Sequence, residues 1–78
     1  MWRYVDVLPI DPDPWVTLGE GVTPLVRSST LHNVRLKLDF LMPTLSFKDR
    51  GAVVLATLAK RLGVSSAMVD SSGNAGTA

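Results

Sequence analysis

The feature that most restricts the fold of this chain is a helical repeat of apolar residues between Ser46 and Gly63. Val54, Leu55, Leu58, Ala59 and Leu62 recur at spacings of three and four, which puts them on one face of an α-helix. Gly63 is a natural C-terminal stop, and Lys60 and Arg61 fall in the last turn, where the helix dipole favours cations. Ser46 and Asp49 have the spacing of a capping box, with Asp a shorter partner than the usual Glu or Gln. Upstream, Val34, Leu36, Leu38 and Phe40 alternate with Arg35, Lys37 and Asp39, the period of a half-buried strand. Pro43 ends that pattern, because it offers no ladder donor and constrains the residue before it. Downstream, Ser66 to Asp70 reads as a short buried strand, followed by the turn Ser71-Ser72-Gly73-Asn74-Ala75-Gly76. Strand, helix, strand is a βαβ order and favours a parallel sheet with a right-handed crossover.

The first third is irregular. Asp11-Pro12-Asp13-Pro14 must be extended or turning, since each proline fixes its own φ and pushes its predecessor out of the helical region. Before it, Trp2, Val5 and Leu8 are three apart and suit two turns of a surface helix, with Trp2, Tyr4 and Trp15 as packing anchors. After it, Gly19-Glu20-Gly21 and Thr23-Pro24 bracket a turn that delivers the strand-like piece Leu25-Val26-Arg27. The expected organisation is an N-terminal segment and linker over residues 1–17, then an incomplete α/β domain over 18–78, because the chain stops just as a second helix begins.

Composition narrows the function. With 78 residues and no cysteine, the chain forms one domain at most and has no disulfide to support a thin core. Eight Lys/Arg against seven Asp/Glu, scattered along the chain, give no footprint for nucleic acid or an anionic membrane. The longest apolar run, Ala52 to Ala56, is far short of the roughly 20 residues of a membrane span. The N-terminus lacks the apolar core and cleavage site of a secretory signal, so the expectation is a soluble, cytoplasmic protein.

Two places could carry chemistry. Lys48 sits in Ser46-Phe47-Lys48-Asp49-Arg50-Gly51, at the first turn of the helix. There the dipole's positive end and Arg50 disfavour a second cation and bias the amine toward its neutral form, a nucleophile toward carbonyls, while Asp49 opposes that bias. The plainer alternative is a surface lysine paired to Asp49. The turn from Ser71 to Gly76, placed after a strand, would offer two hydroxyls, an amide and free N–H groups to a carboxylate or phosphate. Alternatively, it is an ordinary turn whose glycines and Asn serve the backbone. His32 has no acidic or Cys neighbour at ligand spacing, Asp11 and Asp13 read as a solvated linker, and no metal site is expected. Gly19-Glu20-Gly21 is no dinucleotide fingerprint, and a Walker motif is absent.

Three motifs in order, Gly19-Glu20-Gly21-Val22-Thr23-Pro24-Leu25, Pro43-Thr44-Leu45-Ser46-Phe47-Lys48-Asp49-Arg50-Gly51 and Asp70-Ser71-Ser72-Gly73-Asn74-Ala75-Gly76, resemble the N-terminal part of threonine synthase, a fold-type-II pyridoxal-phosphate enzyme family. The resemblance runs from about Leu18 to Ala78. It implies a partial tryptophan-synthase-β-like α/β fold with a parallel βαβ unit, and pyridoxal 5'-phosphate as cofactor. Lys48 matches the lysine that holds the cofactor covalently, Asn74 the asparagine that hydrogen-bonds its phenolic oxygen, and Phe47 a residue packed beside its ring. Ser71, Ser72 and the amides around Gly73 match the loop that grips the substrate's α-carboxylate, while Ser46, Asp49 and Arg50 would order the lysine's turn. The implied reaction converts O-phosphohomoserine and water to threonine and phosphate, with the lysine moving protons between substrate carbons. The implied partner is a small amino-acid substrate, and the implied parent a homodimer. A threonine or serine dehydratase, or another β-replacement enzyme, shares the lysine and asparagine loop and is the alternative within the fold. A noncatalytic anion-binding module is the alternative from another class. The chain departs from the family pattern at Met42 and Leu45, which stand where Asn and Gly are common. The phosphate cup and the C-terminal domain of the family have no counterpart within these 78 residues, so the chain by itself should bind the cofactor poorly or not at all.

Overall fold

The structure is a computed structural model that describes residues 1–11 and 15–78. The elements run in the order of a 3₁₀ helix (Trp2–Val7), strands β1 (Leu25–Arg27) and β2 (Arg35–Lys37), helix α1 (Asp49–Arg61) and a single turn of helix, α2 (Asn74–Thr77). No helix among the described residues is long and apolar enough to cross a membrane.

Helix α1 lies where its apolar period places it, and both of its ends have a physical cause. Gly63, at φ +70°, takes the left-handed conformation that only glycine adopts without penalty, while its N–H reaches the Lys60 carbonyl and that of Val64 reaches Ala59. These paired bonds satisfy carbonyls that a bare helix end would leave open. The stripe that α1 buries is Asp49, Val53 and Thr57, whereas Leu55, Leu58 and Leu62 face outward. What packs on α1 comes from the N-terminal third: the Val16 N–H donates to the Thr57 hydroxyl at 2.8 Å, and that hydroxyl donates to the Val53 carbonyl at 2.8 Å.

The leader expected as a surface helix is a 3₁₀ helix, interrupted at Tyr4, whose φ and ψ are not helical. Trp2 anchors it. The Trp2 ring stacks on Trp15 with centroids 5.8 Å apart, and its indole N–H donates to the Val16 carbonyl at 2.9 Å. Of the proline-rich linker, residues 12–14 lie outside the described residues. Asp11 is held to α1 by Arg61, which donates to the Asp11 carbonyl at 2.9 Å.

The sheet differs from the expectation at 66–70. Strands β1 and β2 pair antiparallel, with Leu25 opposite Lys37, Val26 opposite Leu36 and Arg27 opposite Arg35, so the sheet of the described residues is a hairpin. Residues 66–70, expected as a buried strand, form no ladder among the described residues and are exposed throughout. A strand requires a neighbour to receive its backbone bonds, and none of the described residues pairs with this segment. The alternation from Val34 to Phe40 yields three paired residues, all exposed, because none of the described residues buries the hairpin's apolar side.

The buried core is correspondingly small and polar. Met42 and Val53 are its hydrophobic members, beside Glu20, Thr23, Ser46, Asp49 and Thr57. The accessible surface of 6044 Å² exceeds by roughly a third the ~4,600 Å² that size scaling gives a compact chain of this mass.

Candidate active site

Lys48 stands immediately before α1, and the segment leading to it is fixed from both sides. The Met42–Leu45 turn, closed by Leu45 N–H to the Met42 carbonyl at 2.8 Å, carries Pro43 at the second position, where its fixed φ suits a turn. Leu45 then takes φ +60°, a left-handed conformation costly for a leucine. The glycine that the resemblance leads one to expect here is absent, yet the backbone keeps the conformation a glycine would favour.

The capping pair is present with different partners from those the spacing suggests. Asp49 is fully buried, and its carboxylate accepts the Thr44 N–H at 2.8 Å and the Thr44 hydroxyl. The Ser46 hydroxyl accepts the Lys48 N–H at 3.2 Å rather than that of Asp49. Asp49 is thus held by Thr44, and no Lys48–Asp49 ion pair occurs among the described residues. The Lys48 side chain is exposed and its ammonium lies 5.0 Å from the centre of the Phe47 ring.

A second set of contacts joins the first two sequence motifs. Asp39 accepts from Arg50 at 3.1 Å and from the Thr23 hydroxyl at 3.0 Å, so one carboxylate ties the Thr-Pro-Leu segment to the turn of Lys48. The Arg50 guanidinium first, and the Thr23 hydroxyl next, hold the Asp39 carboxyl below its ordinary value. Gly21 takes φ +99°, a backbone conformation that favours glycine, beside Arg50 and the N-terminus. Glu20 accepts from the N-terminal ammonium at 2.9 Å, from Thr17 at 2.9 Å and from the Leu18 N–H at 3.0 Å. Burial alone would raise the Glu20 carboxyl, and these donors outweigh it, so it titrates below its ordinary value. Sequence reasoning missed Asp39 and Thr23 as supports of the site; the Arg50 guanidinium, in need of an acid, was the available signal.

The second candidate is a separate local structure. Ser71 Oγ accepts the N–H groups of Gly73 and Gly76, at 3.1 and 3.0 Å, and donates to the Gly73 carbonyl at 3.2 Å. Its hydroxyl is thus spent on shaping the turn, as is the Gly73 amide. Gly76 permits this, because a Cβ there would lie 3.2 Å from that of Ser71. Ser72 and Asn74 are exposed, and neither side chain makes a hydrogen bond among the described residues. Lys48 and Phe47 are brought together, while the 71–76 turn makes its hydrogen bonds within itself and is not joined to them.

The arrangement presents an accessible primary amine on a fixed turn, beside an aromatic ring, with an uncommitted amide and hydroxyl on a second loop. Comparison with known proteins decides the family, since the pyridoxal-phosphate dependent enzyme family matches residues 16–78. The chain belongs to this family. The cofactor of the family is pyridoxal phosphate, and an exposed lysine amine suits its aldehyde. The chain is similar to the threonine synthase of Methanosarcina acetivorans, 37% identical over 84 residues, an alignment that covers 100% of this chain and 20% of the relative. It is similar to the threonine synthase of Methanocaldococcus jannaschii, 41% identical over 81 residues, covering 95% of this chain and 20% of the relative. The threonine synthase of Mycobacterium bovis is 41% identical over 78 residues, covering 91% and 21%. The chain therefore spans about a fifth of the length of these curated relatives. No solved structure matches it significantly.

Proposed function

We propose that these residues contribute the cofactor-holding lysine of a lyase of the threonine-synthase type, which converts O-phosphohomoserine and water to threonine and phosphate. The observation that carries the reading is the Lys48 amine, exposed at the start of α1 on a turn clamped by Asp49 and Ser46. Lys48 would hold pyridoxal phosphate, Phe47 would pack beside its ring, and Asn74 would donate to its phenolic oxygen once the loops are brought together in the full-length parent. When bound, the cofactor supplies an electron sink for the substrate carbon that loses its proton.

The work of the chain's own residues follows from their chemistry. The Lys48 Nζ, when neutral, takes a proton from one substrate carbon and returns it to another. The Asp49–Thr44 contact fixes the backbone from which that amine projects, so the amine need not be repositioned between the two transfers. With the Ser71 hydroxyl committed to its turn, the Ser72 hydroxyl and the N–H groups following Gly73 are what remains to grip the substrate's α-carboxylate. Ser71 and Gly73 act on this account by holding the loop's shape. The substrate is a small amino acid, and a cytoplasmic homodimeric parent fits the reading.

Assays of the full-length parent test it. Phosphate release from O-phosphohomoserine is expected, with loss of at least about 10³-fold on Lys48→Ala, the scale of removing a residue that both anchors a cofactor and transfers protons. Ammonia release from threonine without phosphate release would favour the dehydratase reading. Ligand binding unchanged by Lys48→Ala, without turnover, would favour the anion-binding module.

A further inference from the structure

A cleft of about 310 Å³ opens at the turn end of the hairpin, lined among others by Arg27, Ser28, His32, Asn33 and Arg35. Arg27 and Arg35 are direct cross-strand partners, so their side chains leave the same face of the hairpin. Two guanidinium groups facing each other repel and weaken the pairing that aligns them. No carboxylate lines the cleft, and the ion pairs among the described residues are made by the N-terminus, Arg50 and Arg61 instead. The tip between the strands is shaped locally. Ser28 Oγ accepts the N–H groups of Thr30 and Leu31 at 3.3 and 3.0 Å, the Ser28 N–H reaches the Val34 carbonyl at 2.9 Å, and Asn33 takes φ +58°. His32, in this tip, lines a cleft that also holds the two guanidinium groups of Arg27 and Arg35.

We propose that this cleft binds a phosphoryl group, free or on a small phosphomonoester, between Arg27 and Arg35 with His32 at the rim. A phosphoryl group offers three or more oxygens and more negative charge to two guanidinium forks than the two oxygens and single charge of a carboxylate, which favours phosphate. Binding of the anion turns the cross-strand repulsion into a bridge between β1 and β2. The site is built from residues outside the Lys48 turn and the 71–76 loop, so it stands or falls independently of the proposed reaction.

The test is isothermal titration calorimetry of the cofactor-loaded full-length parent with inorganic phosphate and, separately, with O-phosphoserine. Because either probe can also enter the Lys48 site, a binding step that the parent shows and the Arg27→Gln/Arg35→Gln double variant lacks supports the cleft, and which probe gives the tighter step of that kind assigns the source of the phosphoryl group. Arg27→Gln and Arg35→Gln should each weaken this step roughly tenfold, the loss expected for one charge-assisted contact, and the double variant should abolish it with turnover unaltered. Arg35→Glu, which places opposite charges across the strands, should raise the melting temperature in phosphate-free buffer and remove the rise that phosphate produces. A binding step of undiminished affinity in the double variant would overturn the proposal. So would the absence of any step with both probes up to roughly 10 mM, the range of very weak association.

Discussion

Leu45 shows how one residue can keep a conformation that its side chain disfavours. Its φ of +60° is held by the closed turn before it and the Lys48–Ser46 and Thr44–Asp49 contacts around it, and its side chain is largely exposed, so the leucine gains little burial in return. Leu45→Gly should therefore stabilise the protein, by about 0.5–1 kcal/mol once the greater freedom of glycine in the unfolded chain is set against relief of the left-handed strain. A chemical-denaturation midpoint that falls would contradict this. Asp49 has the opposite character. Asp49→Ala leaves the part-buried Thr44 N–H without its acceptor and should cost about 1–2 kcal/mol. The same variant should lower cofactor capture, measured by absorbance of the loaded protein, because the turn carrying Lys48 loses its clamp.

At the scale of elements, the Thr57 hydroxyl ties the N-terminal third to the middle of α1, and Arg61 ties Asp11 to its end. Thr57→Val removes the acceptor of the Val16 N–H while keeping side-chain volume, and should cost about 1–2 kcal/mol. Detachment would separate Trp2 and Trp15 from α1, so altered tryptophan fluorescence and faster amide exchange at Val16 are the readouts. The acids that tie the motifs together set the pH response. Glu20 and Asp39 both titrate below their ordinary values when folded, so the stability they lend is complete above the unfolded-state values near pH 4 and is lost as pH falls through the lower folded values. Asp39→Asn should flatten that acid limb in a denaturation series. Much of this was legible in the chain: the apolar period, Gly63 and the Ser46/Asp49 spacing located α1 and its ends. The bonding partners were not, because a spacing identifies two groups that can cap and leaves open which N–H each receives. Asp49 reaches Thr44, five residues back, only because the intervening turn folds over it.

For the molecule as a whole, the alternation at 34–40 and the apolar run at 66–70 revealed strand character without revealing partners. A period of two states which side chains share a face, whereas pairing depends on another segment lying alongside. The described residues supply one for β2 and none for 66–70. The Lys48 turn and the 71–76 loop were both visible as motifs, yet what would bring them together is a packing question that these elements do not answer by themselves. Residues 64–78, exposed nearly throughout and bonded mainly to one another, should exchange their amide protons fast in the 78-residue chain, while the middle of α1 exchanges slowest. Uniform protection would contradict the small polar core described above.

The most direct measurement concerns the amine itself. Pyridoxal phosphate added to the full-length parent, reduced with borohydride and followed by peptide mapping, should leave the cofactor on Lys48 and on no other lysine. A label on Lys37 or Lys60, or none at all, would contradict the account.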